Sequence, residues 1–425
     1  GIKTMALAVS VVQMLVVGLL IAPSSADKLH VTQEWDHKEI LKLKPSETAA
    51  KELGDHVSAA AEVKMWEPLW PEPHRRAEHA VFALALNYDI RHFYWFVGSL
   101  RKVGFTGDIV LAVNQKISKP LEIFLKQNKV IAYPLFVKCK SKLQCVIEQW
   151  FTPIDGTLPM AIIRHYLYLS WLQHYSEESL ISVLDFRDTV FQSDPFLYLE
   201  HELQQGSTTE LWLSGEHMPY KRIRNCVFNS GWIRDCYGRE EAQQYGADPV
   251  ICSGSIFGTK RGLKVFETRL LEEVSKKRCH EHFVESDQGY TNILFHSGAL
   301  ANAGIKAQLD PRGVGPVNTI GAFGGKRHGY YVGSDILKSM RDEEGYVLNC
   351  PVHVKPEFQQ CSLEAKPGSP CLADNDAAAN FRDCKDTTRS PVVHQWDRHA
   401  GDLGKFIEKF IACKTNCINT TTTLP

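Results

Sequence analysis

The sequence predicts an α/β fold, a mostly parallel central sheet flanked by helices, in one large domain. Three observations predict it. Between residues 79 and 136, apolar runs of strand length alternate with stretches of helical periodicity, which is the β-α-β pattern of a parallel sheet. Leu180 to Leu184 is a β-branched apolar run that leads straight into acid, as a buried central strand does at its ligand-facing end. The chain has 425 residues, 44% hydrophobic and 23% charged, enough to bury a substantial core.

The elements follow in order. Ala6 to Ala22 is apolar apart from Ser10 and Gln13, and Pro23-Ser24-Ser25-Ala26 offers small residues for cleavage. Residues 1–26 read as a secretory signal peptide. At about 17 residues the apolar run also reaches the lower limit for crossing a bilayer, so a type II signal anchor is the alternative. Residues 27–78 are polar and read as a stem, with one helix near Thr48 to Met65. The prolines and tryptophans from Trp66 to Pro73 then break it. Residues 79–412 form the main domain and 413–425 a Thr-rich tail carrying the sequon Asn419-Thr420-Thr421.

Within the domain, His79 to Leu86 is a strand. Asp89 to Val103 is a helix burying Phe93, Phe96, Val97 and Leu100, ended by Gly104. Gly107 to Val113 and Val130 to Phe136 are strands around a helix at Leu121 to Asn128. Pro159 to Tyr175 is expected as an amphipathic helix with Pro159 in its first turn. Strands follow at Glu210 to Ser214 and Ile251 to Gly258, and helices at Gly262 to Lys277 and from Ser286, a fair N-cap. Gly313 to Gly325 is glycine-rich and expected to be a mobile loop. Pro391 to His394 ends in a short apolar strand.

Chemistry concentrates at Asp185-Phe186-Arg187-Asp188. On a continuing strand the two acids would face apart, because side chains alternate. A turn at Phe186-Arg187 is expected to bring Asp188 beside Asp185. Paired carboxylates without adjacent cysteine suit a hard divalent cation, Mg²⁺ or Mn²⁺. They also suit a plain turn, with Arg187 as their ion-pair partner.

This strand, the Asp-x-x-Asp and the following Phe191-Gln192-Ser193-Asp194-Pro195-Phe196 resemble the metal-binding segment of GT-A-fold (Rossmann-like) glycosyltransferases. The resemblance spans about Ala80 to Arg398. It implies a metal-dependent enzyme that moves a sugar from a nucleotide diphosphate, by analogy a UDP-sugar, to a glycan or glycoprotein. The family motif is Asp-x-Asp; Asp188 matches its second acid, while the first stands one residue early, at Asp185. By the same resemblance His394 is the third metal ligand, with Mn²⁺ or Mg²⁺ as cofactor. Ala83, Arg164 and Asp185 would lie along the donor nucleotide. Arg164 suits phosphate oxygens, or is simply paired to a carboxylate. Asp287 in Asp287-Gln288 would face the acceptor, as the base if the reaction inverts. Ile251-Cys252-Ser253-Gly254-Ser255-Ile256-Phe257-Gly258 resembles the small-residue strand on the acceptor side, where a sugar approaches the backbone, or is a glycine-rich turn beside a core strand.

A net charge of −1 argues against nucleic acid as the main partner, and no Gly-x-x-x-x-Gly-Lys loop is present. The 12 cysteines are even in number and clustered, as at Cys139 and Cys145 or Cys226 and Cys236, which suits an oxidising lumen, Golgi or secreted, and suggests local disulfides whose connectivity the sequence leaves open. Two other functions fit the composition: a secreted glycoside hydrolase using paired carboxylates, and a catalytically inactive carbohydrate-binding relative.

Overall fold

The computed structural model describes residues 67–74, 78–141, 144–147, 158–216, 222–276, 287–321, 340–349, 353–354, 379–380 and 388–418. All belong to one unit, 52–425. The signal or anchor segment, the stem helix, Ser286 and Asn419 lie outside them.

Strand β1 (His79–Ala85) runs parallel to β2 (Asp108–Asn114), which runs parallel to β3 (Val130–Leu135). The connections are helical. α1 starts at Ile90–Phe93, passes through a π turn at Tyr94–Gly98 and ends as Ser99–Lys102. Asp89 caps it by accepting from the Arg91 amide, and Gly104 follows at φ +93°, a conformation that suits glycine. α2 is Lys119–Gln127, capped by Ser118.

The period-two alternation of these strands builds two cores. Ala80, Phe82, Val110, Ala112, Ile131 and Tyr133 share one face. Val81, Ala83, Ile109, Leu111, Val130 and Ala132 share the other, against Phe93, Phe96, Val97 and Leu100 of α1. Residues upstream pack here too. The Leu69 amide donates to the Ala132 carbonyl at 2.8 Å, and the Trp70 indole to the Val130 carbonyl at 3.1 Å. Packing against the sheet thus starts upstream of the boundary expected at residue 79.

A hairpin, β4 (Val137–Ser141) and β5 (Gln144–Ile147), is closed by the disulfide Cys139–Cys145. α3 (Met160–Leu172) is not the one-sided helix expected. Ile162 through Leu172 are all buried, because β1 flanks it on one side and a later helix, Lys260–Ser275, on another. β6 (Leu180–Leu184) is buried throughout and runs parallel to β1. After the acidic turn come β7 (Thr189–Phe191), α4 (Leu197–Gln204) and β8 (Leu211–Gly215). α5 (Val227–Tyr237) and α6 (Arg239–Gln244) precede β9 (Ile251–Thr259), the one antiparallel strand of the main sheet, set between β6 and β8. α7 (Lys260–Ser275), α8 (Asp287–His296), α9 (Ala299–Asn302) and β10 (Ala307–Asp310) complete it. The seven strands lie in the order β10-β8-β9-β6-β1-β2-β3. This is the mostly parallel, helix-flanked sheet the sequence predicts.

A second, three-stranded sheet corrects one expectation. Val317–Thr319, within the glycine-rich stretch expected to be a mobile loop, is a buried strand, β11. After a two-residue pair, β12 (His353–Val354) and β13 (Ala379–Asn380), comes β14 (Val392–His394). β14 pairs with β11 in parallel and with β7 antiparallel. Glycine count suggested flexibility, but the apolar and β-branched Val317 and Thr319 pack and pair instead. The final helix, α10 (Ala400–Ile418), runs on past the expected start of the tail. Cys226 is a free thiol while Cys236 is disulfide-bonded, so these two neighbouring cysteines are not joined to each other.

Candidate metal centre at the strand ends

β6 stops at Leu184, and the Asp185 amide donates to the Gly254 carbonyl at 2.8 Å. Phe186 is buried against Phe93 and Phe96, with ring centroids 4.7 and 5.0 Å away, and this anchor bends the chain. Asp188 is therefore carried to the same side as Asp185. β7 begins one residue later, and its antiparallel register sets Thr189 opposite His394. The backbone ladder, rather than any side-chain contact, brings His394 to the acidic turn. The Trp396 amide donates to the Asp188 carbonyl at 3.3 Å and ties the two segments again.

The His394 ring is fully buried. Its Nε2 lies 3.5 Å from Asp185 Oδ2 and 3.5 Å from Asp188 Oδ1, close enough for charge attraction but too long for a hydrogen bond of good geometry. No hydrogen-bond partner satisfies that buried nitrogen. One ligand atom from each of the three residues lies within 4.8 Å of the others. With such spacings, a point common to the three lies roughly 2.0–2.4 Å from each, the distance range of Mg²⁺, Mn²⁺ and Ca²⁺ ligands. Two carboxylates, one imidazole and an orphaned buried nitrogen fit a divalent cation.

The surrounding charges are strongly coupled. Burial opposes a charged His394 ring, but the Cys252 sulfur and the carboxylates of Asp188 and Asp185 outweigh it and hold the ring well above the usual histidine range. A proton then takes the position that the cation would. Desolvation would raise the Asp185 carboxyl, yet Arg164, and after it His394, hold it far below the usual range. Arg164 bridges Asp185 and Asp287 through its two Nη atoms. Asp287 is likewise lowered: burial would raise it, but Arg164 and then His165 prevail. His165 Nε2 is 3.8 Å from Asp287 Oδ2, and its Nδ1 bonds Glu267 Oε2 at 2.6 Å. On the far side, Arg187 joins Asp188 and Asp397, each at 3.1 Å.

β9 closes the site from behind. Against β8 its register jumps: Leu213 faces Ile256, while Ser214 faces Cys252. The intervening bulge presses Gly254 onto the cluster. A Cβ there would stand 2.2 Å from Asp185 Oδ2 and 3.0 Å from His394 Cε1, so the seat exists only with glycine at 254. In front lies a cleft of about 730 Å³, walled by Leu84, Leu86, Asn87, Tyr88, the acidic turn, Arg164, Trp232, Asp287, Gln288 and Arg398.

Of the residues predicted from sequence, the structure brings Asp185, Asp188 and His394 together and places Arg164 and Asp287 beside them. Arg164 is carboxylate-paired here. Ala83 is a correction: it is fully buried in the core beneath the sheet, because Leu84 and the residues after the strand turn toward the cleft instead. Sequence reasoning placed Cys252 only in an acceptor-side strand, without its contact to His394, and gave no role to His165 or Glu267. Glu267 carried a faint signal, an acid set in the apolar stripe of Leu263, Phe266, Leu270 and Leu271, all buried.

No family model matches the chain, and no curated protein matches it. Among solved structures, the glycosyltransferase GlyE of Streptococcus pneumoniae TIGR4 aligns over 54% of this chain and 44% of its own, at 17% identity and a TM-score of 0.29. The aligned part spans less than half of that protein, and so low an overlap carries no conclusion about this one.

Proposed function

We propose that the protein is a metal-dependent glycosyltransferase of the GT-A type. It would transfer a sugar from a nucleoside diphosphate donor, a UDP-sugar by resemblance, to a glycan or glycoprotein. One observation carries the reading. Asp185 and Asp188, which line an open cleft at the carboxyl ends of a mostly parallel sheet, converge with the orphaned Nε2 of His394, buried behind them. Asp188, His394 and Asp185 would hold Mn²⁺ or Mg²⁺, which would neutralise charge on a leaving diphosphate.

The chain's own residues supply the rest. Arg164, in the same cleft, offers a guanidinium to phosphate oxygens if it exchanges one carboxylate for them. Asp287, expected as the base, is held anionic by Arg164 and His165. An efficient base has a pKa near the working pH, and this one is shifted the other way. Its better role is to accept a hydrogen bond from a sugar hydroxyl and fix its position. The hydrolase alternative needs a cleft carboxyl raised enough to act as an acid. Asp185 and Asp287 are both lowered, which weighs against it. Residence in the secretory lumen is part of the proposal, supported by the Cys139–Cys145 disulfide.

The experiment is a screen of nucleotide sugars with Mn²⁺, comparing the native protein with Asp188→Asn. The substitution keeps shape and removes a ligand charge. Turnover should fall on the order of 100-fold or more, since even residues behind the ligands are worth 10–100-fold. Equal, EDTA-insensitive turnover in both proteins would sink the reading.

A further inference from the structure

The metal reading leaves one buried group unused, the free thiol of Cys252. Its Sγ lies 3.4 Å from Nδ1 of His394, within the range for a hydrogen bond to sulfur, and both residues are buried. The other ring nitrogen, Nε2, points at Asp185 and Asp188 without a hydrogen-bond partner. We propose that Cys252 is the positioning residue of His394. Its sulfur accepts the Nδ1 hydrogen bond and fixes the ring's rotation, so that Nε2 faces the two carboxylates and is the nitrogen offered to a cation. The inference rests on the metal reading of that cluster.

The chemistry follows from the tautomers of imidazole. A neutral ring carries one proton, and a ring that binds metal through Nε2 must carry it on Nδ1. Something must then accept from Nδ1; a carboxylate, a carbonyl or water is the usual partner. Here the position is taken by sulfur, a weak acceptor that packs as a small apolar group. The fold explains how it gets there. Cys252 is the last residue of β9 to pair with β8 before the bulge, so its side chain is set by a strand rather than a loop. The same bulge then returns Gly254 to the Cε1 edge of the ring. One segment thus holds the ring at Nδ1 and leaves too little room for a Cβ beside Cε1, which opposes a ring flip.

Three variants separate positioning from packing. Cys252→Ala removes the acceptor and leaves space; Cys252→Val fills the space without an acceptor; Cys252→Ser restores an acceptor on a shorter arm. The first readout is the Mn²⁺ concentration giving half-maximal thermal stabilisation, with no substrate present. The expected result is a 10- to 100-fold rise for Ala and Val, and partial rescue by Ser. The second readout is metal-free: ¹⁵N shifts of the histidine rings, with His394 assigned by its loss in His394→Gln. The His394 Nδ1 shift should move in Ala and Val, where its hydrogen bond to sulfur is lost, and move back toward the native value in Ser. Unchanged ring shifts in Cys252→Ala would overturn the proposal, whatever Mn²⁺ does. A valine variant with native Mn²⁺ response would overturn it as well, leaving Cys252 as filler. A native protein that Mn²⁺ does not stabilise would instead remove the metal reading beneath it.

Discussion

Gly254→Ala tests the seat without touching a ligand. The backbone at this position is ordinary, since Gly254 is not among the described residues with positive φ, so alanine brings no backbone strain. The cost is steric. The new Cβ meets Asp185 Oδ2 at 2.2 Å, where ordinary contact begins at 3.4 Å. Something must shift by about 1 Å, several times the roughly 0.2 Å tolerance of a metal-ligand distance. Retreat is difficult, because the Asp185 amide is bonded to the carbonyl of Gly254 itself. The carboxylate must swing away from His394, and Mn²⁺ affinity should fall at least 10- to 100-fold. Overpacking of this kind also costs about 1–3 kcal/mol of stability. The assay is Mn²⁺ titration by thermal shift, with the metal-free melting point as reference. Gly104→Ala is the opposite control: its φ is +93° and a Cβ there meets nothing within 4 Å. It should lose stability, about 1–2 kcal/mol, and keep its Mn²⁺ response. Native Mn²⁺ affinity in Gly254→Ala would refute the claim that this glycine shapes the seat.

Two further predictions concern pH. Burial, helped by the charge of Glu202 and opposed by the Gln308 hydrogen bond, raises the Asp310 carboxyl to about 6. The folded state then binds more protons than the unfolded one between the ordinary value and 6, so stability falls as pH rises through that window, by about 3 kcal/mol. Asp310→Asn should flatten this slope in urea melts and stabilise the protein at pH 8; parallel slopes would refute it. His74 behaves in the opposite sense: burial, with the charge of His174 second, lowers it to about 3. Stability is present above 6.5 and lost as pH falls toward 3, about 3 kcal/mol by pH 4.5. In His74→Gln that acid loss should disappear from urea melts at pH 7 and 4.5, and an unchanged loss would count against the assignment.

Much of this was legible in the sequence because it is local. The strand at 180–184, the bend at Phe186 and the acid pair lie within one short stretch, where period and turn chemistry speak directly. His394 was legible as a polar residue ending an apolar strand. The structure adds what period cannot carry. The Thr189–His394 pairing joins segments over 200 residues apart in sequence. The bulge at 253–255 depends on β9 having two unequal neighbours, β6 in register and β8 out of it. Ala83 was misplaced because alternation alone does not say which face of a buried strand meets the cleft. α3 was read as one-sided because its second neighbour, α7, begins almost 90 residues later.

The charges around the seat argue for the valence of its ligand. They form an alternating path: Glu267, His165, Asp287, Arg164, Asp185, His394, Asp188, Arg187, Asp397, each in contact with the next. Arg164 and Arg187 carry fixed positive charge. His165 is raised: burial opposes its charge, but Glu267 and then Asp287 prevail. A metal-bound His394 is neutral, so along this path five carboxylates then face three cations, with the charge of Arg398 acting on Asp397 at its outer end. The path keeps a negative excess in a largely buried setting, where uncompensated charge is expensive. A divalent ion offsets it more fully than a monovalent ion or a water does. Without the ion, a proton on His394 removes part of the excess, and the ring between the two acids is accordingly held well above the usual histidine range. Asp188→Asn removes one of the five carboxylates while keeping the shape, so a proton on His394 balances more of the excess that is left. The substitution should therefore lower the demand for a divalent ion more than it lowers the stability of the metal-free fold.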